Sequence, residues 1–349
     1  MLLYIHIPFC ESKCPYCAFG SVVGKDSKAN NYFKALVKDL KFQMSNFKNL
    51  KIKTVFIGGG TPSVINANLY QEIFDIFLPY CSKNVEITSE ANPNSASLEW
   101  LKKMKEIGVN RISFGVQSFN EKKLKLLGRT HNAQDAKNAV INAKNAGFKN
   151  INVDIIYSTK FDNKKLLKQE IESIKQLKIN HLSAYSLTLE ENTPFYKKTQ
   201  YQNNSPILAN FIISEIKKAG FNQYEISNFG KACQHNLNYW KGDEYIGIGA
   251  YSVGFYDKKR LYASENIDNY IKNPLERKIE KLSKDDLLLE HIFLGARSKI
   301  GIDKKKLSQE QIKKAEILKK SRKIIEKNGR YFVKNFLLAD EIALFINEN

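Results

Sequence analysis

No stretch of the sequence approaches the roughly 18 consecutive apolar residues of a membrane-spanning helix, so no span is expected. The first ten residues, MLLYIHIPFC, lack a basic leader and run straight into a cysteine, so they read as a first strand and not as a secretion signal. Cysteine is scarce and odd in number: there are five, three of them inside eight residues. That argues against a disulfide framework and for a metal site in a reducing, cytoplasmic setting. Acidic residues are in deficit, 36 against 55 basic ones, for a formal net charge of +19. Such a balance suits nucleic acid, anionic lipid or another acidic partner. The lysines, however, are spread over nearly every segment among many Asn and Ile residues, which reads as the coding habit of an AT-rich genome with solvated helix faces. No period repeats strongly enough for a solenoid.

What is present is an alternation. LLYIHIP (2–8), TVFIGG (54–59), VEITSEA (85–91), RISFGVQS (111–118), INVDIIYS (151–158) and HLSAYSLT (181–188) are short and rich in β-branched or aromatic residues. Between them lie stretches such as SLEWLKKMKEIG and NKKLLKQEIESIKQL, with apolar residues at helical spacing and Gly or Asn at several ends. Six strands each followed by a helix predict right-handed parallel crossovers, in a doubly wound sheet or a barrel, complete or partial. Beyond about residue 195 the pattern changes. A Gly- and aromatic-rich stretch precedes helices near 284–297 and 308–328 and a short strand pair, a winged-helix-like order. The lysines of 308–328 fall on several faces instead of one stripe, so nucleic acid is not an expected partner. The expected division is 1–222 as core, 223–282 as a connecting segment and 283–349 as a smaller C-terminal α/β domain.

In parallel α/β folds, sites form at the C-terminal ends of the strands. Here those ends carry the cysteine loop, Gly58-Gly59-Gly60-Thr61, Glu90-Ala91-Asn92-Pro93, Gln117-Ser118 with Arg129 beyond, Asp154 and Tyr157, and Tyr185-Ser186. Polar loops are ordinary, but a triple glycine and an Asp154 between Val153 and Ile155 are not.

The spacing C-x3-C-x2-C of Cys10, Cys14 and Cys17 gathers three thiolates around one small object. Structural zinc wants a fourth ligand, and so does a [4Fe–4S] cluster that only carries electrons. With three ligands one iron stays open. S-adenosylmethionine (SAM) can chelate that iron, and an electron passed to its sulfonium yields a 5′-deoxyadenosyl radical. That chemistry belongs to the cofactor, which the protein holds and orients.

This loop after a first strand, with GGGTP after the second, resembles the radical SAM superfamily, whose fold is a six-stranded partial (β/α)6, TIM-like barrel. YIHIPFC, GGGTP, EANP, SFGVQSF, GRTH and NVDIIY together resemble its oxygen-independent coproporphyrinogen III oxidase-like group, over essentially the whole chain. The resemblance implies that Cys10, Cys14 and Cys17 hold the cluster. It places Tyr4 and Tyr16 beside SAM, and Gly59, Gly60 and Thr61 along its methionine moiety. Glu90 and Gln117 would serve the nucleoside, Arg129 the carboxylate, Asp154 a ribose hydroxyl, and Ser186 the same site. His131 is expected to be structural and Cys81 to be core.

Two departures mark a branch. The oxidases carry a further cysteine two residues after the third, where this chain has Phe19, and a long segment ahead of the first strand. Both fit the heme chaperone (HemW-type) branch, as does His235-Asn236-Leu237-Asn238-Tyr239-Trp240, which matches an HNxxYW motif associated there with heme. An imidazole suits heme iron, and Tyr and Trp offer flat faces to a porphyrin. His235 is thus the expected heme ligand, with Cys233 an alternative, and lysines would meet the propionates. The implied function is heme binding and delivery to apo-hemoproteins. A decarboxylating oxidase and a radical SAM enzyme that modifies heme stay open, so enzymatic activity is undecided. Peripheral membrane contact and a homodimer are also left open.

Overall fold

Leu3, Ile5 and Ile7 alternate with Tyr4 and His6 along the first strand, so one face meets a helix layer and the other a polar barrel interior. The same two-faced pattern recurs along the sheet of this computed structural model, which describes residues 1–348. The parallel strands are β1 (Leu2–Ile7), β2 (Ile52–Gly59), β3 (Cys81–Ala91), β4 (Arg111–Gln117), β5 (Asn150–Tyr157) and β6 (His181–Ser186). They pair in that order. Each expected strand is present, with ends moved by a few residues.

Helices α1 (Ala29–Ser45), α2 (Gln71–Phe77), α3 (Leu98–Ile107), α4 (Glu121–Leu126), α5 (Ala133–Asn145) and α6 (Lys164–Leu177) fall between the strands, and α7 (Pro206–Lys218) follows the last. Their starts are set by side-chain caps. Ser97 accepts the Trp100 N–H, Asn163 that of Leu166, and Asn132 forms a capping box with Asp135. Aliphatic faces such as Leu167, Ile171 and Ile174 bury against the sheet.

The segment 223–282 is no simple connection. It supplies β7 (Asn228–Gly230), antiparallel to β6 at one edge of the sheet. At the other edge, β8 (Tyr245–Ile248) lies parallel to β1 and is followed by β9 (Val253–Tyr256), β10 (Lys259–Tyr262) and β11 (Lys278–Lys281), all antiparallel. The sheet therefore has eleven strands and stays open. The same segment carries α8 (Gln234–Lys241), which covers the N-terminal end of the barrel, and α9 (Ile267–Lys272).

The C-terminal unit has its own core, around Ile292, Ile302, Ala315, Tyr331 and Ile342. It comprises α10 (Lys284–Ala296), β12 (Ile302–Asp303), α11 (Gln309–Lys320), the hairpin β13 (Ile324–Lys327) and β14 (Arg330–Val333), and α12 (Ala339–Asn347). The helix expected over 308–328 ends at Lys320, because Asn328 and Gly329, both at positive φ, turn a hairpin there.

Candidate cofactor site at the mouth of the barrel

Cys10, Cys14 and Cys17 lie half-buried along one wall of a cavity of about 140 Å³ at the C-terminal ends of the strands. Burial pushes the Cys10 and Cys17 thiols up. Thr61 at Cys10, the Phe19 backbone at Cys17 and the Lys13 ammonium near both pull back. Lys13 also braces the loop, donating to Phe19 O at 2.6 Å and Ser21 Oγ at 2.8 Å. Among the described residues no three His, Cys, Asp or Glu side chains converge on one ion. Cys81 opens β3, and Cys233 is wholly buried at the other end of the barrel, its thiol pushed up to about 12 by burial.

The glycine turn explains itself locally. A Cβ on Gly60 would fall 2.7 Å from Ile7 O, and Gly59, at φ +106, would drive one into the His6 ring. Without side chains the turn hydrogen-bonds onto the first strand, Gly60 N–H to Ile7 O and Thr61 N–H to Phe9 O, both at 2.8 Å. These glycines thus serve close approach to β1 as well as lining the cavity.

The opposite wall is made by the other strand ends. Glu90 accepts the Gly59 N–H at 3.1 Å, and burial with Asp154 nearby raises its pKa to about 7, with the Gly59 N–H opposing. Asp154 accepts from Asn152 at 2.6 Å, and its pKa is also raised by burial. Gln117 sits at φ +65 beside a break in the β4–β5 register, a strained conformation at a cavity-lining residue. Arg129 Nη2 donates to Asn92 Oδ1 at 2.6 Å and Gly115 O at 2.7 Å, Nη1 donates to Cys14 Sγ at 3.5 Å, and its buried Nε has no partner. A guanidinium fixed beside a cluster cysteine suits a ligand carboxylate. A Cβ on Gly115 would crowd Gln117 Nε2 at 2.9 Å, so that wall also needs glycine. The three-thiol wall, the Arg129 guanidinium lining the same cavity and the glycine cradle fit a cluster with SAM. Gly115 was not singled out from sequence, and Asn92 only as part of a strand end, although both stand inside the quoted motifs EANP and SFGVQSF.

A second chamber of about 470 Å³ adjoins the first and shares Tyr16, Glu90, Gln117 and Asp154 with it. Ser186 lines only this second chamber, with Tyr185 and Leu187.

Two expected site residues line neither chamber. The Tyr4 hydroxyl meets His6 Nδ1 at 3.0 Å, and His6 Nε2 meets Gly20 O at 2.7 Å; burial and then the nearby Glu90 carboxylate raise the pKa of that hydroxyl. His235 is fully buried, its Nδ1 2.8 Å from Thr54 Oγ1, at the end of the barrel away from the cysteines. It is not an open ligand in this conformation. Burial keeps its imidazole neutral, with the pKa lowered to about 3, and Nε2 has no partner. His131 donates its Nε2–H to Val116 O at 2.9 Å, as a structural residue. His181, without a visible partner in sequence, lies between Asn152 and Tyr224.

The sequence model of the Radical SAM superfamily matches residues 4–174. The chain is 37% identical to a heme chaperone HemW of Buchnera aphidicola, over 83% of this chain and 81% of that one. It is 35% identical to the heme chaperone HemW of Lactococcus lactis, over 86% and 82% of the two chains. Among solved structures, the coproporphyrinogen III oxidase of Escherichia coli, a radical SAM enzyme, superposes with a TM-score of 0.82. That likeness covers 99% of this chain and 90% of the oxidase at 20% identity, and shows the fold.

Proposed function

Because the chain belongs to the radical SAM superfamily, and within its coproporphyrinogen III oxidase-like group to the branch of the HemW proteins, we propose that it is a heme carrier. In this reading it holds a [4Fe–4S] cluster and SAM at the barrel mouth, binds heme, and delivers it to apo-hemoproteins. One observation carries the choice of carrier over oxidase: Phe19, 71% exposed at the cavity rim, stands where the oxidases have their further cysteine.

Cys10, Cys14 and Cys17 would hold the cluster. When bound, the cluster supplies one electron to the sulfonium of SAM. Arg129, held in place by Asn92 and Gly115 and lining the cavity beside Cys14, would pair with the SAM carboxylate. Glu90, Gln117 and Asp154 would accept or donate along the nucleoside, and Tyr16 would cover the bound molecule. We place the protein in the cytoplasm from its clustered thiols. Among the described residues no helix is long and apolar enough to cross a membrane.

A second reading is a radical SAM enzyme acting on a tetrapyrrole, by decarboxylation or by modifying heme. The largely apolar second chamber favours it, since a substrate there would lie beside the SAM residues. Anaerobic incubation of the reconstituted protein with SAM, reductant and either coproporphyrinogen III or heme, followed by product analysis, tests the choice. The carrier reading expects both tetrapyrroles to be recovered unchanged, and sustained conversion with SAM consumption would promote the second reading.

A further inference from the structure

Alternation along β5 puts Asn152 and Asp154 on the same face of the strand, two positions apart. The neighbouring strand β6 sets His181 opposite Asn152. Asn152, His181, Tyr224 and Cys233 are all buried, so the polar groups among them need partners. They find them in one another. Asn152 Nδ2 donates to Asp154 Oδ1 at 2.6 Å and to Ser113 Oγ at 2.7 Å, which uses both amide hydrogens. Asn152 Oδ1 lies 2.5 Å from His181 Nδ1. Arg111 Nη2 is 3.3 Å from the same ring nitrogen, but a guanidinium only donates. The shorter contact decides: Nδ1 carries the hydrogen and gives it to Asn152. His181 Nε2 then accepts from the Tyr224 hydroxyl at 2.7 Å, and the Tyr224 oxygen accepts the Cys233 backbone N–H at 3.1 Å.

These bonds all point one way. Cys233 donates to Tyr224, Tyr224 to His181, His181 to Asn152 and Asn152 to Asp154, so the chain ends on a carboxylate of the cofactor cavity. Head-to-tail hydrogen bonds polarise one another and strengthen together in a low-dielectric interior. The far end of the chain is the N-cap residue of α8, a helix without a side-chain cap of its own. Its first donors rely on other elements: Tyr224 takes the Cys233 N–H, and Glu86 Oε1 takes those of Gln234 at 2.7 Å and His235 at 3.2 Å. The chain thus joins the mouth of the barrel to the helix that covers its other end. Holding Asp154 in place would need only Asn152; the links beyond it reach α8.

We propose that Asn152, His181 and Tyr224 are positioning residues that couple the cofactor cavity to the start of α8. A ligand hydroxyl that donates to the second oxygen of Asp154 fixes the carboxylate, keeps Oδ1 on Asn152 and so orders each link behind it. Every hydrogen stays on its atom. The inference rests on the SAM reading above and goes beyond it: SAM at the mouth tightens the capping of a helix at the opposite end of the barrel. The coupling is reciprocal, so loosening that cap weakens SAM by the same factor.

The test is hydrogen exchange of the full chain, anaerobically reconstituted with its cluster, with and without saturating SAM. The amides of residues 233–235 should exchange about threefold more slowly with SAM, while those of α12, remote from the chain of bonds, should not change. Tyr224→Phe keeps the ring beside His181 and removes only the hydroxyl. It should bind SAM within about threefold of the parent chain, as reciprocity requires, and lose the SAM-dependent slowing at 233–235. Asn152→Ala cuts the first link and should weaken SAM about five- to tenfold, with the slowing lost even at saturation. A Tyr224→Phe chain that keeps the parent's response overturns the proposal. So does a parent chain that binds SAM with no response at 233–235, or with equal slowing in α12. A parent chain that binds no SAM overturns the SAM reading itself, which tells the two failures apart.

Discussion

The Glu90 carboxylate accepts the Gly59 N–H at 3.1 Å and so ties the end of β3 to the glycine turn after β2. The contact sits in the cofactor cavity, where burial raises the Glu90 pKa from 4.5 to about 7. The folded state therefore holds this proton more tightly than the unfolded chain. Stability from this group is fully present below pH 4.5 and is lost as pH rises through about 7, levelling off above it. Glu90→Gln should flatten that slope and stabilise the ligand-free protein at pH 8 by something of the order of 2 kcal/mol, reduced by partial exposure. Urea titrations of both proteins from pH 5 to 8 check this, and parallel slopes would contradict the assignment.

The cluster ligands separate cleanly from the other thiols. Ser at Cys10, Cys14 or Cys17 should abolish the broad iron–sulfur absorption after anaerobic reconstitution and leave fewer than four irons per chain. Ser at Cys81 or Cys233 should leave both unchanged, since neither lines the cavity. Iron content and visible spectra of the five variants decide the matter.

Arg129 has committed Nη2 to Asn92 and Gly115 and places Nη1 3.5 Å from Cys14 Sγ in the cofactor cavity. A charge-assisted hydrogen bond to a ligand is worth about 1.5–3 kcal/mol. Arg129→Ala should weaken SAM binding by roughly ten- to a hundredfold while the cluster is retained. Calorimetry on the reconstituted variant measures it, and an unchanged affinity would remove Arg129 from the SAM site.

Lys123 is wholly buried, 2.8 Å from Asp162 and 3.4 Å from Glu170, and Glu170 also accepts from Ser118, the neighbour of Gln117. Lys123→Met strands two buried carboxylates and should cost about 3–5 kcal/mol. The defect should shrink at pH 5, where Glu170, its pKa raised by burial, can take up a proton. Denaturant midpoints at pH 5 and pH 8 test both the size and the direction.

Much of this was legible in the sequence because the six core strands are short, apolar on one face and punctuated by glycine or polar residues, and the strand-end rule then located the mouth. The edge strands were not. Tyr245–Ile248 is only four residues long, and pairing parallel to β1 across more than two hundred positions leaves no local trace. The hairpin at Asn328-Gly329 was readable, since Asn-Gly between apolar runs is a turn signal, but the lysine-rich helix before it masked the break. Tyr4 and His235 show a different limit: a motif names a residue without saying which way it points. Tyr4 turns toward His6, and His235 faces into the barrel because Glu86 and Thr54 hold it there.

The most direct measurement of the central claim is transfer. The chain loaded with one equivalent of hemin is mixed with an apo-hemoprotein, and the recipient's Soret band is followed against the rate at which hemin leaves without a recipient. The carrier account predicts recipient-dependent transfer faster than passive release, lost in His235→Ala. Hemin that leaves at the same rate with and without the recipient would contradict it.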